Sequence, residues 1–259
     1  MRIYAVLIIA NMLKKERHAF IKGEIDIHNK VLSSDLSIQL NVSEDTVRRD
    51  LQEMDEVDLL TKVHGGAISK SIQFSLHNNT VYSQPEKKII AQKASNLIKD
   101  GMIVLLSGGT TIIELVKSLP PHLNATFVTP SIPTALELLN HPTAEVIFLG
   151  NKLLKNAQLA VGAEVVQRLH EIKADYCFLG TNSIDVDAGI TDLEWEVIEV
   201  KKAMIKSAKK TVSLAISKKL NTVQRLMVCE IEAIDYLITE LEPQHELLQP
   251  YHNKHVTIL

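Results

Sequence analysis

From Met102 onward, short and almost uninterrupted apolar runs alternate with amphipathic stretches. MIVLLS, ATFVTP, EVIFLG, DYCFLG, TVSLAIS and DYLITE read as strands. The segments TTIIELVKSL, IPTALELLN, AEVVQRLHEI and a longer one from about Glu194 to Lys209 read as helices. A strand that is apolar on both sides must be covered on both faces, and a helix between successive strands supplies the crossover that parallel pairing needs. The alternation predicts an α/β domain, a mostly parallel sheet wrapped by helices, over residues 85–259. Pro85 suits the first turn of its opening helix, PEKKIIAQKASNLIKDG, expected to close at Gly101. Ligands of such sheets bind beyond the carboxyl ends of the strands.

The first of those ends carries Ser107-Gly108-Gly109-Thr110-Thr111, between a strand and a helix N-terminus. Glycines allow close backbone approach, free N–H groups point outward and two hydroxyls add donors, an arrangement suited to phosphate. It is not a P-loop, because no Lys follows the glycines. Other strand ends offer Thr129, Pro130 and Ser131, then Gly180, Thr181 and Asn182. The next loop holds Asp185, Asp187, Gly189 and Thr191, and Lys218 of Ser217-Lys218-Lys219 could offer an anion a positive charge. Taken singly, each also reads as loop capping or solvated charge; their shared sheet edge makes them candidates together.

Residues 12–68 have a different texture. Leu13, Phe20, Ile21, Ile25 and Ile27 recur at near-helical spacing. A short second helix carries Leu36 and Leu40, with Ser33 or Ser34 as its cap, and Asn41-Val42 forms a turn. Ser43 caps a third helix, with Glu44 and Asp45 in its first turn, where the helix dipole favours negative charge. Val47, Leu51, Met54 and Val57 fall on one stripe of it; Arg48, Arg49 and Gln52 point elsewhere. Leu59, Leu60 and Val63, the Gly65-Gly66 reversal and Ala67-Ile68 then suit a β-wing. Helix, turn, capped helix and wing make a winged helix-turn-helix pattern, whose second helix enters the DNA major groove. Base reading is expected from some of Ser43, Glu44, Thr46 and Arg49; Arg48, Lys14, Lys15 and Arg17 suit phosphates, and Lys62 or His64 suits the backbone near the wing tip. The same pattern can serve as a protein-interaction module, and neither the net charge of −3 nor the local balance of charge decides between them.

The string LSSDLSIQLNVSEDTVRRDLQEMDEVDLLTKVHGGA closely resembles the N-terminal signature of the DeoR family of bacterial transcriptional regulators. Two departures stand in it. Asp58 replaces the Gly that usually ends the recognition helix, a position where Asp tolerates the left-handed conformation, and Lys62 replaces the usual wing Arg. The second half resembles the sensor domain of the same family through DGMIVLLSGGTT, FVTPSI, VIFLG, ADYCFLGTNSID, DAGIT and the SK of AISKKL. That domain is related in fold to ribose-5-phosphate isomerase and glucosamine-6-phosphate deaminase. The resemblance implies that Gly108, Gly109, Thr110 and Thr111 hold an effector's phosphate, with Lys218 at the ligand site. Ser107 and Ala215 stand where the family often has Asp, Pro130 where it has Asn, and Asn151 where it has Gly. These changes spare the phosphate loop and fall on the side that would touch the sugar.

The resulting expectation is a repressor that binds operator DNA and answers to a phosphorylated sugar. It would act as a homodimer or higher oligomer, because one short recognition helix reads few bases. The alternative is a sugar-phosphate isomerase or deaminase carrying a DNA-binding module. Asp185, Asp187, Asp192, Glu194 and Glu196 are available to it by type, but no clear acid–base pair stands out. No cofactor motif is present, and His252 and His255, in a polar tail expected to be surface chain, have no Cys partner for a metal. No apolar run reaches the ~18 residues of a membrane span. Cys177 and Cys229 lie in apolar runs and read as buried reduced thiols of a cytoplasmic protein. Residues 69–84 read as a linker, and Met12 reads as the natural start after a dispensable apolar extension.

Overall fold

A computed structural model describes residues 12–70 and 82–259. The extension before Met12 and most of the expected linker lie outside the described residues. The chain divides into two compact units at the boundary between His77 and Asn78.

Among the described residues, the first unit holds three helices, α1 (Lys14–His28), α2 (Ser33–Leu40) and α3 (Glu44–Glu56), and three short strands, β1 (Lys30–Leu32), β2 (Thr61–Val63) and β3 (Gly66–Ile68). Ile21 and Ile25 of α1, Leu36 and Leu40 of α2, and Val47, Leu51 and Met54 of α3 meet Leu60 and Ala67 in one core. Each large side chain so buried contributes roughly 2 kcal/mol, against the entropy of ordering the chain. The expected stripe on α3 holds as far as Met54, whereas Val57 is exposed. Neither Ser33 nor Ser34 caps α2: both lie inside its first turn, and Leu32 takes the cap position with no side-chain bond. Asn41 closes α2 in the left-handed region at φ 51°, and Asp58 does so after α3 at φ 63°, so Asp takes the conformation that glycine would otherwise supply. The wing has one strand more than expected, in the antiparallel order β1-β3-β2. Gly66 is required there, because a Cβ would meet the Val31 carbonyl oxygen at 1.9 Å.

In the second unit, α4 (Gln84–Ser95) carries Pro85 in its first turn as expected, but ends six residues before Gly101. The strands β4 (Ile103–Leu106), β5 (Thr126–Thr129), β6 (Glu145–Phe148), β9 (Ala174–Gly180), β12 (Ala208–Leu214), β14 (Tyr236–Ile238) and β15 (Thr257–Ile258) form one sheet. Its order is β15-β14-β12-β9-β4-β5-β6, and every pairing in it is parallel. Helices α5 (Thr110–Lys117), α6 (Ile132–Leu138), α7 (Ala163–His170) and α8 (Trp195–Lys206) are the crossovers. Two apolar clusters result, one containing Val104, Leu106, Phe127 and Phe178, the other Leu105, Val128, Cys177 and Leu179. Alternate residues of the same strands divide between them, as two covered faces require.

Two small antiparallel additions are not legible as strands in the sequence. One is the hairpin β7 (Lys152–Leu154) and β8 (Leu159–Val161); the other is the sheet of β10 (Ser183–Asp185), β11 (Gly189–Asp192) and β13 (Leu226–Cys229). The C-terminal tail is not surface chain. Tyr251, on the short helix α9 (Gln249–His252), is fully buried, and β15 extends the main sheet. Cys177 is buried and Cys229 only partly so; both are free thiols, and burial pushes Cys177 up and Cys229 up to about 11.

Candidate nucleic-acid interface and effector site

The Ser43 side chain accepts the Thr46 N–H at 3.2 Å, and the two hydroxyls lie 2.9 Å apart, so the cap also fixes Thr46. Ser43→Ala is expected to cost about 1 kcal/mol, read as a lower denaturation midpoint of the first unit. Beyond the cap, Glu44, Asp45, Arg48, Arg49 and Gln52 form the exposed face of α3, with Thr46 half-buried. Their electrostatics differ. Arg48 donates to Asp45 at 3.1 Å and to Glu44 at 3.3 Å, whereas Arg49 has no hydrogen-bond or ion-pair partner among the described residues. Lys62 donates to Gln52 at 2.9 Å, and its backbone N–H donates to Asp55, tying wing to helix. His64 is exposed at the wing tip.

On α1, Lys15 is exposed and Lys14 pairs with Glu53 at 2.5 Å. Arg17 is held inward by both oxygens of the buried Asp50, with Nε at 2.7 Å and Nη2 at 3.0 Å, and its guanidinium is raised by that hydrogen bond. Asp50 faces the core side of α3, where an ionised carboxylate must be paired. The structure therefore gives Arg17 a structural partner rather than a free head for a phosphate.

In the second unit, β4 delivers Ser107 and Gly108 to the carboxyl edge, and Gly109, at φ 114°, occupies the cap position of α5. Ser107 is buried: its Oγ accepts the Gly180 N–H at 2.8 Å, and its carbonyl accepts from Thr134. It stitches β4 to β9. A Cβ at Gly180 would meet the Gly108 carbonyl oxygen at 2.5 Å, so these two loops need glycine to approach. The Thr110 and Thr111 hydroxyls have no protein partner among the described residues, and the first-turn N–H groups of α5 have no intrahelical acceptor. Thr129 is buried and accepts the Ser131 N–H.

Beside this loop lies a lysine cluster that sequence reasoning missed. Lys201, buried on α8, donates to Asp192 at 2.8 Å and to the Gly180 carbonyl at 3.1 Å. Lys219, on a single turn of 3-10 helix (Ser217–Lys219), donates to the Thr181 carbonyl at 2.6 Å. Burial, with Lys87 and then Lys201 adding like-charge repulsion, pulls Lys219 down to about 7. Burial works to raise the Asp192 carboxyl, but Lys201 and the donors Leu193 N–H and Asn182 together hold it below its ordinary value. Lys218 turns outward instead, donating to the Tyr82 hydroxyl at 2.8 Å with its ammonium 5.0 Å from the ring centre. One signal for Lys201 was present: it shares a helical stripe with the buried Val197 and Met204.

Asp185 caps its own turn, accepting the N–H groups of Asp187 and Ala188, and Gly189 is required by packing, since a Cβ would meet the Cys229 carbonyl oxygen at 2.1 Å. Of the other carboxylates weighed for acid–base work, Asp192 is tied to Lys201 and Glu196 pairs with Lys152. His252 bonds the Pro243 carbonyl. No helix among the described residues is long and apolar enough to cross a membrane.

This geometry has named relatives. HTH-type transcriptional regulator GolR of Listeria innocua is 30% identical over 88% of this chain and 91% of its own. HTH-type transcriptional repressor GlcR of Bacillus subtilis is 32% identical over 90% of each chain, and the glycerol-3-phosphate regulon repressor of Escherichia coli is 24% identical over 95% and 99%. Among solved structures, ribose 5-phosphate isomerase A of Methanocaldococcus jannaschii is similar over 53% of this chain and 55% of its own, at 17% identity and a TM-score of 0.41. Residues 17–73 match the DeoR-like helix-turn-helix domain, residues 83–241 match the DeoR C terminal sensor domain, and the chain belongs to the DeoR family of transcriptional regulators.

Proposed function

We propose that the protein is a cytoplasmic repressor that binds its operator as a homodimer. In this reading α3 lies in the major groove, Arg49 reads a base, and Lys15 and the wing residues Lys62 and His64 contact phosphates. A phosphorylated small carbohydrate at the carboxyl edge of the sheet shifts that affinity. The observation that carries the effector is the pair of buried or half-buried lysines Lys201 and Lys219, with Asp192 on Lys201, set beside the glycine loop. A second lysine beside an existing ion pair in a half-dry site favours an anion, which restores its ammonium. The name of the glycerol-3-phosphate regulon repressor supports the same ligand class. Gly108, Gly109, Thr110 and Thr111 would take the phosphate with N–H and hydroxyl donors, and Lys219 would supply charge.

A thermal-shift panel of sugar phosphates, each against its free sugar, tests this reading. One phosphate is expected to raise the melting temperature while its free sugar does not. Gly109→Glu, which puts a carboxylate at an open position of the loop, is expected to abolish the rise. A flat panel from a folded protein contradicts the effector reading.

The pH dependence has a fixed sign. Below about 7 Lys219 is already charged, and an anion gains its full attraction. Above that value the free protein must take up a proton on binding, so affinity falls as pH rises, by up to about tenfold per unit. Calorimetry between pH 7 and 8.5, where a phosphate monoester is already a dianion, reads this directly. Proton uptake on binding is expected with the wild type and is lost with Lys219→Met.

A further inference from the structure

We propose that the open edge of the main sheet is the homodimer face, with β6 pairing antiparallel to β6 of a second copy across a two-fold axis at Ile147. This deepens the homodimer of the reading above by naming its surface.

Among the described residues β6 pairs with β5 on one side only and ends the strand order. Glu145 and Leu149 donate to the carbonyls of Ala125 and Thr129, so residues 145, 147 and 149 face β5. Val146 and Phe148 therefore direct their N–H and C=O groups outward, an unpaired ladder ready for another strand. Edge strands that must stay single are guarded by charge, proline or a bulge. The one charge on this strand, Glu145, accepts from the Thr126 hydroxyl of β5 at 2.8 Å; the rest reads Val-Ile-Phe, and both Ile147 and Phe148 are about two-fifths exposed.

Apolar surface gathers around the same edge. Leu136 and Leu139 stand exposed on or just after α6, which packs on β6. Leu153 is exposed on β7, and Trp195 lies beside Glu196, whose pair with Lys152 brings the start of α8 to that hairpin. Ile147 and Phe148 lie on opposite faces of the strand, so apolar side chains stand exposed on both sides of the open edge.

The edge is self-complementary. Outward-facing residues must pair with outward-facing residues, which restricts the two-fold to a residue position. Centred on Ile147, the pairing sets Val146 against the partner's Phe148 and uses both outward residues of the strand. Glu145 then faces Leu149 of the partner subunit, so no two carboxylates oppose each other.

In that register Ile147 faces its own copy as a non-hydrogen-bonded pair, with Cα atoms about 4.5 Å apart, within disulfide reach. The full-length Ile147→Cys protein is expected to form an intermolecular disulfide under mild oxidation, while Met227→Cys, exposed on another sheet, is not. Val146→Pro removes an outward N–H and leaves the ladder to β5 intact; it is expected to weaken dimerisation on the order of 100-fold in sedimentation experiments. The cross-link decides the matter if Val146→Pro does not fold. A wild-type chain that stays monomeric at micromolar concentration overturns both this face and the homodimer reading. A wild-type dimer whose Ile147→Cys form does not cross-link overturns the face alone.

Discussion

Replacing Lys201 with methionine is expected to destabilise the second unit by about 3–5 kcal/mol, a fall of about 10 °C in melting temperature. Methionine fills much the same volume, so the loss is electrostatic. Lys201 and Asp192 are each less than a tenth exposed and meet at 2.8 Å, and removing the ammonium strands a carboxylate that burial already disfavours. The double variant Lys201→Met with Asp192→Asn removes the orphan charge and is expected to recover most of the deficit. The pH dependence follows from the directions. In the wild type the Asp192 carboxyl is held low, so its contribution is full above the unfolded carboxyl value near 3.9 and fades as pH falls through the folded one. In the single variant burial raises that carboxyl against only the Leu193 N–H and Asn182, without the ammonium, so the gap between the two proteins should narrow in acid. A gap that stays constant from pH 7 to 4 would show that lost packing, not stranded charge, is the cause. Lys201 also holds the Gly180 carbonyl beside the glycine loop, so effector affinity should fall with stability.

Arg49→Ala is expected to cost about 1–3 kcal/mol of operator binding, roughly 5- to 150-fold, and much less on random DNA. Arg48→Ala should cost less than about 1 kcal/mol, since Glu44 and Asp45 already engage that guanidinium. The sequence already sets Arg49 toward bases and Arg48 toward phosphates; the structure adds the acidic partners that hold Arg48. Anisotropy titrations of both variants at fixed salt, on operator and on random duplex, separate base reading from phosphate contact. An equal loss for Arg49→Ala on both duplexes would assign it to a phosphate.

The parallel strands other than β15 were legible because a strand covered on both faces must be apolar throughout, as MIVLLS and DYCFLG are. The small antiparallel sheet was not, because β10, β11 and β13 are three or four residues long and β13 reaches β11 from a distant segment. β1 was missed for the same reason: its three residues run straight into α2. The glycine loop was legible from local chemistry, and its neighbours Gly180 and Thr129 from their places at strand ends. Lys219 was not, since a lysine reads as solvated until tertiary packing buries it, and for Lys201 the stripe it shares with Val197 and Met204 was the one signal. Arg17 read as a phosphate contact for the complementary reason: its partner Asp50 is 33 residues away and declares itself only when α1 meets α3.

The most direct test of the account is selection of DNA by the full-length protein from a random duplex pool at about 0.15 M salt, with Arg49→Ala run in parallel. A two-fold protein reading one half-site with each α3 should enrich an inverted repeat whose half-sites lie about one helical turn, or a multiple of it, apart. The Arg49→Ala protein should lose preference at one base pair of each half-site. Failure to enrich any motif, or enrichment of the same motif with equal strength by the variant, would contradict the assignment of α3 and Arg49 as the reading surface.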